Sequence, residues 1–124
     1  MKDKKYNCYF EMTLDIMGGK WKPIILYYIN LNEVARHSEL KRFIPNINER
    51  MLTRQLRELE EDSLIKRKVY PVVPPKVEYT LTEHGKSLVP ILKDLIQWGE
   101  NYAKSINFNN FNIDISNKKG SQEK

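Results

Sequence analysis

Between residues 48 and 81 the spacing of apolar side chains changes period. Leu52, Leu56 and Leu59 recur at intervals of four and three, the spacing of one face of a helix. Residues 64–70 then alternate apolar side chains with Lys66 and Lys68, the pattern of a strand with one face in solvent. Pro71-Val72-Val73-Pro74-Pro75 cannot continue a strand interior, because proline has no N–H to give to the ladder. Residues 77–81 resume the strand. A helix followed at once by a hairpin with a stiff, proline-rich tip leaves few folds open. What precedes it narrows the choice further. Ser38 reads as the N-cap of a short helix, 39–44, that ends ahead of Pro45. Asn48 reads as the N-cap of the next helix, 49–62. Two helices joined by the tight turn Pro45-Asn46-Ile47-Asn48 make a helix-turn-helix pattern.

The flanks complete the order. Phe10, Leu14 and Met17 have helical spacing in residues 8–17, and Gly18-Gly19 stops that helix. A second helix restarts over residues 20–29, with Pro23 tolerated in its first turn and apolar residues nearly all round it, so it should be central and buried. Thr82 caps a long last helix, 83–105, whose stripe is Leu88, Ile91, Leu92, Leu95, Trp98, Tyr102 and Ile106. Pro90 should kink it or loosen its first turns. The expected fold is mainly α with a small β-hairpin. It is a winged helix-turn-helix domain over residues 6–106, with extra N- and C-terminal dimerisation helices. Residues 107–124, rich in Asn, Ser and Lys, are expected to form a disordered tail.

Several function classes are not supported. A chain of 124 residues is one domain, large enough to fold without a disulfide or metal. The single cysteine, Cys8, excludes an internal disulfide framework and a cysteine-rich zinc site. His37 and His84 have no partners at ligand spacing, so neither a metal nor a cofactor is expected. No serine sits in a glycine-flanked elbow, and Gly18-Gly19 is a helix stop rather than a phosphate cradle, so no enzyme is expected. The longest apolar run, residues 24–29, is far short of the roughly 20 needed to span a bilayer. The first residues carry charge with no apolar stretch behind them, unlike a secretory signal. A reduced, bacterial cytoplasmic setting is expected, nucleoid-associated when bound. The aromatic set Trp21, Tyr27, Tyr28, Trp98 and Tyr102 reads as core and dimer interface, which leaves a small-molecule effector open.

A net charge of +5 permits a polyanionic partner, and the placement of the charge decides. At about 100° per residue, Arg50, Arg54 and Arg57 fall together, nearly opposite Leu52, Leu56 and Leu59. Two readings compete. Glu58 and Glu61 stand four residues after Arg54 and Arg57, so surface ion pairs could account for both arginines. Against that, the acids Glu58, Glu60, Glu61 and Asp62 gather at the C-terminal end. The N-terminal turns, which recognition helices push into the major groove, hold Arg50 and Arg54. The hairpin adds Lys66, Arg67, Lys68 and Lys76. Double-stranded DNA with a palindromic operator is therefore the expected partner. Arg50, Thr53 and Arg54 should meet base edges or nearby phosphates, with Arg57 contested by Glu61. Ser38 and Asn48 suit phosphate at helix starts, and the four hairpin cations suit the backbone or minor groove. The alternative is a winged helix used as a protein–protein module, its basic face merely solvated. A homodimer is expected through Phe10 and Leu14 of the first helix and Leu92, Leu95, Ile96, Trp98 and Tyr102 of the last. Cys8 opens the first helix, where the helix dipole favours a thiolate and Lys4 and Lys5 add positive potential. The rival is a small buried hydrophobe. With one cysteine, oxidation must give an intersubunit or mixed disulfide.

The blocks Gly18-Gly19-Lys20-Trp21, Ser38-Glu39-Leu40-Lys41-Arg42, Met51-Leu52-Thr53-Arg54-Gln55-Leu56-Arg57-Glu58-Leu59-Glu60 and Leu81-Thr82-Glu83-His84-Gly85 occur in order. Between the last two lies Tyr70-Pro71-Val72-Val73-Pro74-Pro75-Lys76-Val77-Glu78-Tyr79. The chain, over residues 8–99, strongly resembles the HxlR-type family of bacterial transcriptional regulators. The resemblance implies a homodimeric winged helix-turn-helix protein that binds palindromic sites near promoters and acts as repressor or activator. It also implies dimerisation through the terminal helices. Some members sense oxidants or electrophiles through a cysteine near the N-terminus, the position of Cys8. Tyr9 stands where the family often has proline, and Val72 where an acidic residue is common.

Overall fold

The chain runs, in order, α1 (Tyr9–Met17), α2 (Trp21–Asn32), α3 (His37–Phe43), α4 (Glu49–Glu61), β1 (Ile65–Tyr70), β2 (Lys76–Leu81) and α5 (Glu83–Ser105). These come from a computed structural model that describes residues 3–112. Of the expected tail, residues 107–124, the part from residue 113 onward lies outside the described residues. The chain divides into two compact units within α5, the first reaching Val89 and the second starting at Pro90.

In the first unit, α1 starts at Cys8, whose backbone is extended, and Gly19 at φ 71° makes the left-handed turn into α2. α2 carries the core: Ile25, Leu26 and Ile29 are fully buried, and the helix packs on α3, α4 and β2. It runs three residues beyond the expected end, to Asn32, after which Glu33 takes a positive φ.

Ser38 is not the N-cap of α3. The helix starts at His37 with Arg36 in the cap position, and the Glu39 carboxylate accepts the Arg36 backbone N–H at 2.9 Å. That bond satisfies an orphan donor of the first turn and moves the cap two residues upstream of the serine. Asn48, in contrast, caps α4 as expected, its Oδ1 accepting the Met51 N–H at 2.7 Å. Ile47, almost fully buried, fixes the turn between the two helices to the core.

β1 and β2 pair antiparallel, Ile65 opposite Leu81 and Tyr70 opposite Lys76. A third, one-residue strand joins them. Ala35 and Tyr79 exchange both backbone hydrogen bonds, at 3.0 and 2.8 Å, and so tie the segment ahead of α3 to the hairpin. Thr82 closes the hairpin onto α5. Its hydroxyl donates to the Ser63 carbonyl at 2.6 Å and accepts the Gly85 N–H at 3.1 Å. α5 continues through Pro90 without interruption.

In the second unit, Leu92 and Ala103 are buried. Trp98 and Tyr102 stack at 5.1 Å between ring centroids and remain largely exposed. After α5 the Phe108 N–H bonds the Ala103 carbonyl at 2.8 Å.

Candidate nucleic-acid interface

α4 is divided lengthwise. Leu52, Gln55, Leu56 and Leu59 are buried, and Arg50, Thr53, Arg54 and Arg57 are exposed. With Glu49, these four exposed residues line one open depression along the outer side of the helix. The leucines hold the helix by burial, so its backbone is set in place before a partner arrives.

The contest between arginines and acids resolves unevenly. Arg54 Nε lies 3.8 Å from Glu58 Oε2, at the outer limit of an ion pair. Among the described residues no carboxylate lies within ion-pair distance of Arg50 or Arg57, so the Glu61 contact that could have held Arg57 is not made. Glu58 is engaged elsewhere: its Oε1 is 2.8 Å from Nζ of Lys22, a buried lysine in the first turn of α2. The hydrogen bond from Lys22, more than any other cause, holds the Glu58 carboxyl below its ordinary value.

His37 is a residue that the sequence did not single out for this face. From the start of α3 its Nε2 lies 3.2 Å from Thr53 Oγ1 and its Nδ1 lies 3.5 Å from Glu49 Oε1. Both contacts reach across the turn to α4 and fix the two helices against each other. Ser38, next in line, is exposed in the first turn of α3.

The hairpin cations do not share one face. Lys66, Lys68 and Tyr70 alternate onto one face of β1, opposite Thr80, Glu78 and Lys76. Arg67 lies on the other face, opposite the buried Tyr79. On the first face, Lys68 and Lys76 sit 4.9 and 4.7 Å from the Tyr70 ring centre, positions suited to cation–π attraction. The Tyr70 hydroxyl donates to Glu78 Oε1 at 2.9 Å, and this bond, with Lys76 at 3.5 Å, keeps the Glu78 carboxyl below its ordinary value. The charge of Lys76 is thus partly answered within the hairpin.

Cys8 is exposed and caps α1, its Sγ accepting the Glu11 N–H at 3.4 Å. The cap geometry matches the expectation. The positive surroundings match it less well, because Lys4 turns to Asp15 at 2.9 Å, where the Tyr6 hydroxyl also donates at 2.6 Å. Of the residues expected at a dimer interface, Phe10, Leu14, Leu95, Trp98 and Tyr102 are exposed and Ile96 is half-buried. Leu92, also expected there, is buried at 3 % exposure. Among the described residues no helix is long and apolar enough to cross a membrane.

The family profile described as HxlR-like helix-turn-helix matches residues 16–107. The chain belongs to this family. It is 55% identical over 101 residues to the HTH-type transcriptional regulator YkvN of Bacillus subtilis (strain 168), covering 82% of this chain and 85% of YkvN. It is 50% identical over 113 residues to YtcD of the same organism, also named an HTH-type transcriptional regulator, covering 91% of this chain and 89% of YtcD. The solved structure of the redox regulator HypR in its reduced form superposes with a TM-score of 0.75 at 47% identity, covering 81% of this chain and 98% of that one. The oxidised form of HypR gives 0.71 at 51% identity, covering 76% and 96%.

Proposed function

We propose that this chain is a sequence-specific, DNA-binding transcriptional regulator that works as a homodimer, with residues 6–106 as its winged helix-turn-helix domain. The observation that carries the reading is the outer face of α4, where Arg50, Thr53, Arg54 and Arg57 stand exposed opposite a fully buried leucine row. Guanidinium groups at this end of the second helix match the paired N7 and O6 acceptors of guanine in the major groove. Asn48, beside the first turn of α4, suits a phosphate. Lys66, Lys68 and Lys76 share a face that can follow the backbone beside the groove; Arg67 does not share it. The relatives named as HTH-type transcriptional regulators support the same reading.

Salt dependence tests it. Taking away one cation that meets a phosphate should lower the slope of log K against log salt by about one unit. Lys68→Ala is therefore expected to weaken binding to a selected and a scrambled 30-base-pair duplex alike, with a slope lower by about one. Weaker binding to the selected duplex alone would contradict its assignment to phosphate.

A dimer is supported by the stripe Leu95, Trp98 and Tyr102, large apolar side chains more than half exposed, and separately by Phe10 and Leu14 on α1. Two-fold pairing would set two α4 helices about 34 Å apart, one turn of DNA, and require a palindromic site. Sedimentation at micromolar concentration should give about twice the 14.8 kDa chain mass. Trp98→Glu with Tyr102→Glu should give the single-chain mass and lose specific binding. A parent that sediments as 14.8 kDa at every concentration would exclude the dimer. The exposed cap position of Cys8, together with the HypR likeness, supports a redox response. Two Cys8 thiols, one per protomer, would join with loss of two protons and two electrons to an oxidant, or one would join a small thiol.

A further inference from the structure

We propose that Lys22 is a positioning residue for the DNA-reading face: by engaging Glu58 from behind, it keeps Arg54 free to meet DNA. The proposal rests on the reading of α4 given above. Arg54 and Glu58 stand four residues apart on one helix, the spacing at which a carboxylate ordinarily draws an arginine down onto the helix surface. Here Glu58 faces two cations. Its Oε1 makes a hydrogen-bonded contact of 2.8 Å with Lys22, while its Oε2 stays 3.8 Å from Arg54 Nε. The closer partner is the less solvated one: the Lys22 side chain is 10% exposed and the Arg54 side chain 64%. Water screens the outer pair far more than the inner one.

A buried ammonium is an expensive way to fill space between two helices, since an apolar side chain of similar volume packs there as well or better. What an apolar side chain cannot do is occupy a carboxylate. Glu58 is the acid paired with Arg54, and unanswered by Lys22 it would both hold Arg54 and repel phosphates. The charge that answers it comes from α2 and lies beneath the face, so it occupies none of the outer surface where DNA would sit.

The full-length chain tests this with two readouts. The first needs no DNA: the rate at which Arg54 Nε–H exchanges with water, by NMR. Lys22→Met should slow it several-fold, because Glu58 then closes on Arg54. The second is affinity for the duplex selected by the parent. Lys22→Met should lower it about twofold, and adding Glu58→Gln should restore it. A purely structural role for Lys22 would leave the Arg54 Nε–H exchange rate unchanged. Lys22→Leu, which likewise cannot engage a carboxylate, serves if the methionine variant does not fold, with the same outcomes expected. An unchanged Arg54 exchange rate, or a loss of affinity that persists in the double variant, overturns the proposal. A parent with no preference for the selected duplex over a scrambled one overturns the reading of α4 instead, and the exchange rate still decides the role of Lys22.

Discussion

Arg54→Ala and Arg50→Ala should each weaken binding to the selected duplex by roughly 1–3 kcal/mol, about five- to 150-fold, while binding to a scrambled duplex falls far less. A bidentate guanidinium contact to guanine is made only on the correct base, so its removal should be felt only there. The competing internal contact is too weak to pre-empt it. An exposed pair four residues apart is worth about 0.3–0.5 kcal/mol, and at 3.8 Å the Arg54–Glu58 contact is a loose one. Arg50 has no ion pair to break among the described residues. Neither substitution touches the buried row Leu52, Leu56 and Leu59, so the fold should be unaffected and melting curves should overlay. Anisotropy titrations at one salt concentration read the result. Equal affinity of parent and both variants for the selected duplex would mean that α4 is not the reading helix.

Gly85→Ala should destabilise the fold by about 3 kcal/mol and lower the melting temperature by roughly 10 °C. A β-carbon added at Gly85 would overlap the Leu64 carbonyl oxygen, with a Leu81 methyl at 3.3 Å behind it. Neither neighbour yields easily. The Leu64 carbonyl accepts the Thr82 N–H at 3.0 Å, a bond that seats the start of α5 on the entry to the hairpin. Alanine would gain about 1 kcal/mol of helix propensity at this position, since Gly85 is in the first turn of α5. Overlap with backbone exceeds that gain, so the sign is set by packing. A calorimetric scan decides it, and a melting temperature equal to or above the parent's would show that the first turn of α5 can shift to make room.

Local patterns in the chain were readable and non-local ones were not. The buried row of α4, the Asn48 cap and the alternation of the hairpin depend on neighbours within a few residues, where spacing carries the information. Serine is a common cap, so sequence alone puts the start of α3 after Ser38, whereas in the fold the first-turn donor is met by Glu39 reaching back to Arg36. The alternation of β1 already separates Arg67 from Lys66 and Lys68, but charge alone groups them. The Ala35–Tyr79 bridge joins residues far apart in sequence and leaves no periodic trace, because it is one residue long. The same holds for Lys22 with Glu58, for His37 with Thr53 and for Gly85 with Leu64. Leu92 shows a different limit. Helical spacing assigns it to a stripe, but only the folded unit determines which edge of that stripe is covered.

The central claim, that α4 reads DNA sequence as one of a symmetric pair, is met most directly by selection. The full-length chain is incubated with a pool of duplexes carrying a randomised 30-base-pair segment, bound duplexes are recovered through several rounds, and the survivors are sequenced. The expected result is enrichment of a two-fold symmetric site whose half-sites are about one helical turn apart and contain guanine at fixed positions. A pool that stays random through every round, with binding that depends on salt but not on sequence, would contradict it.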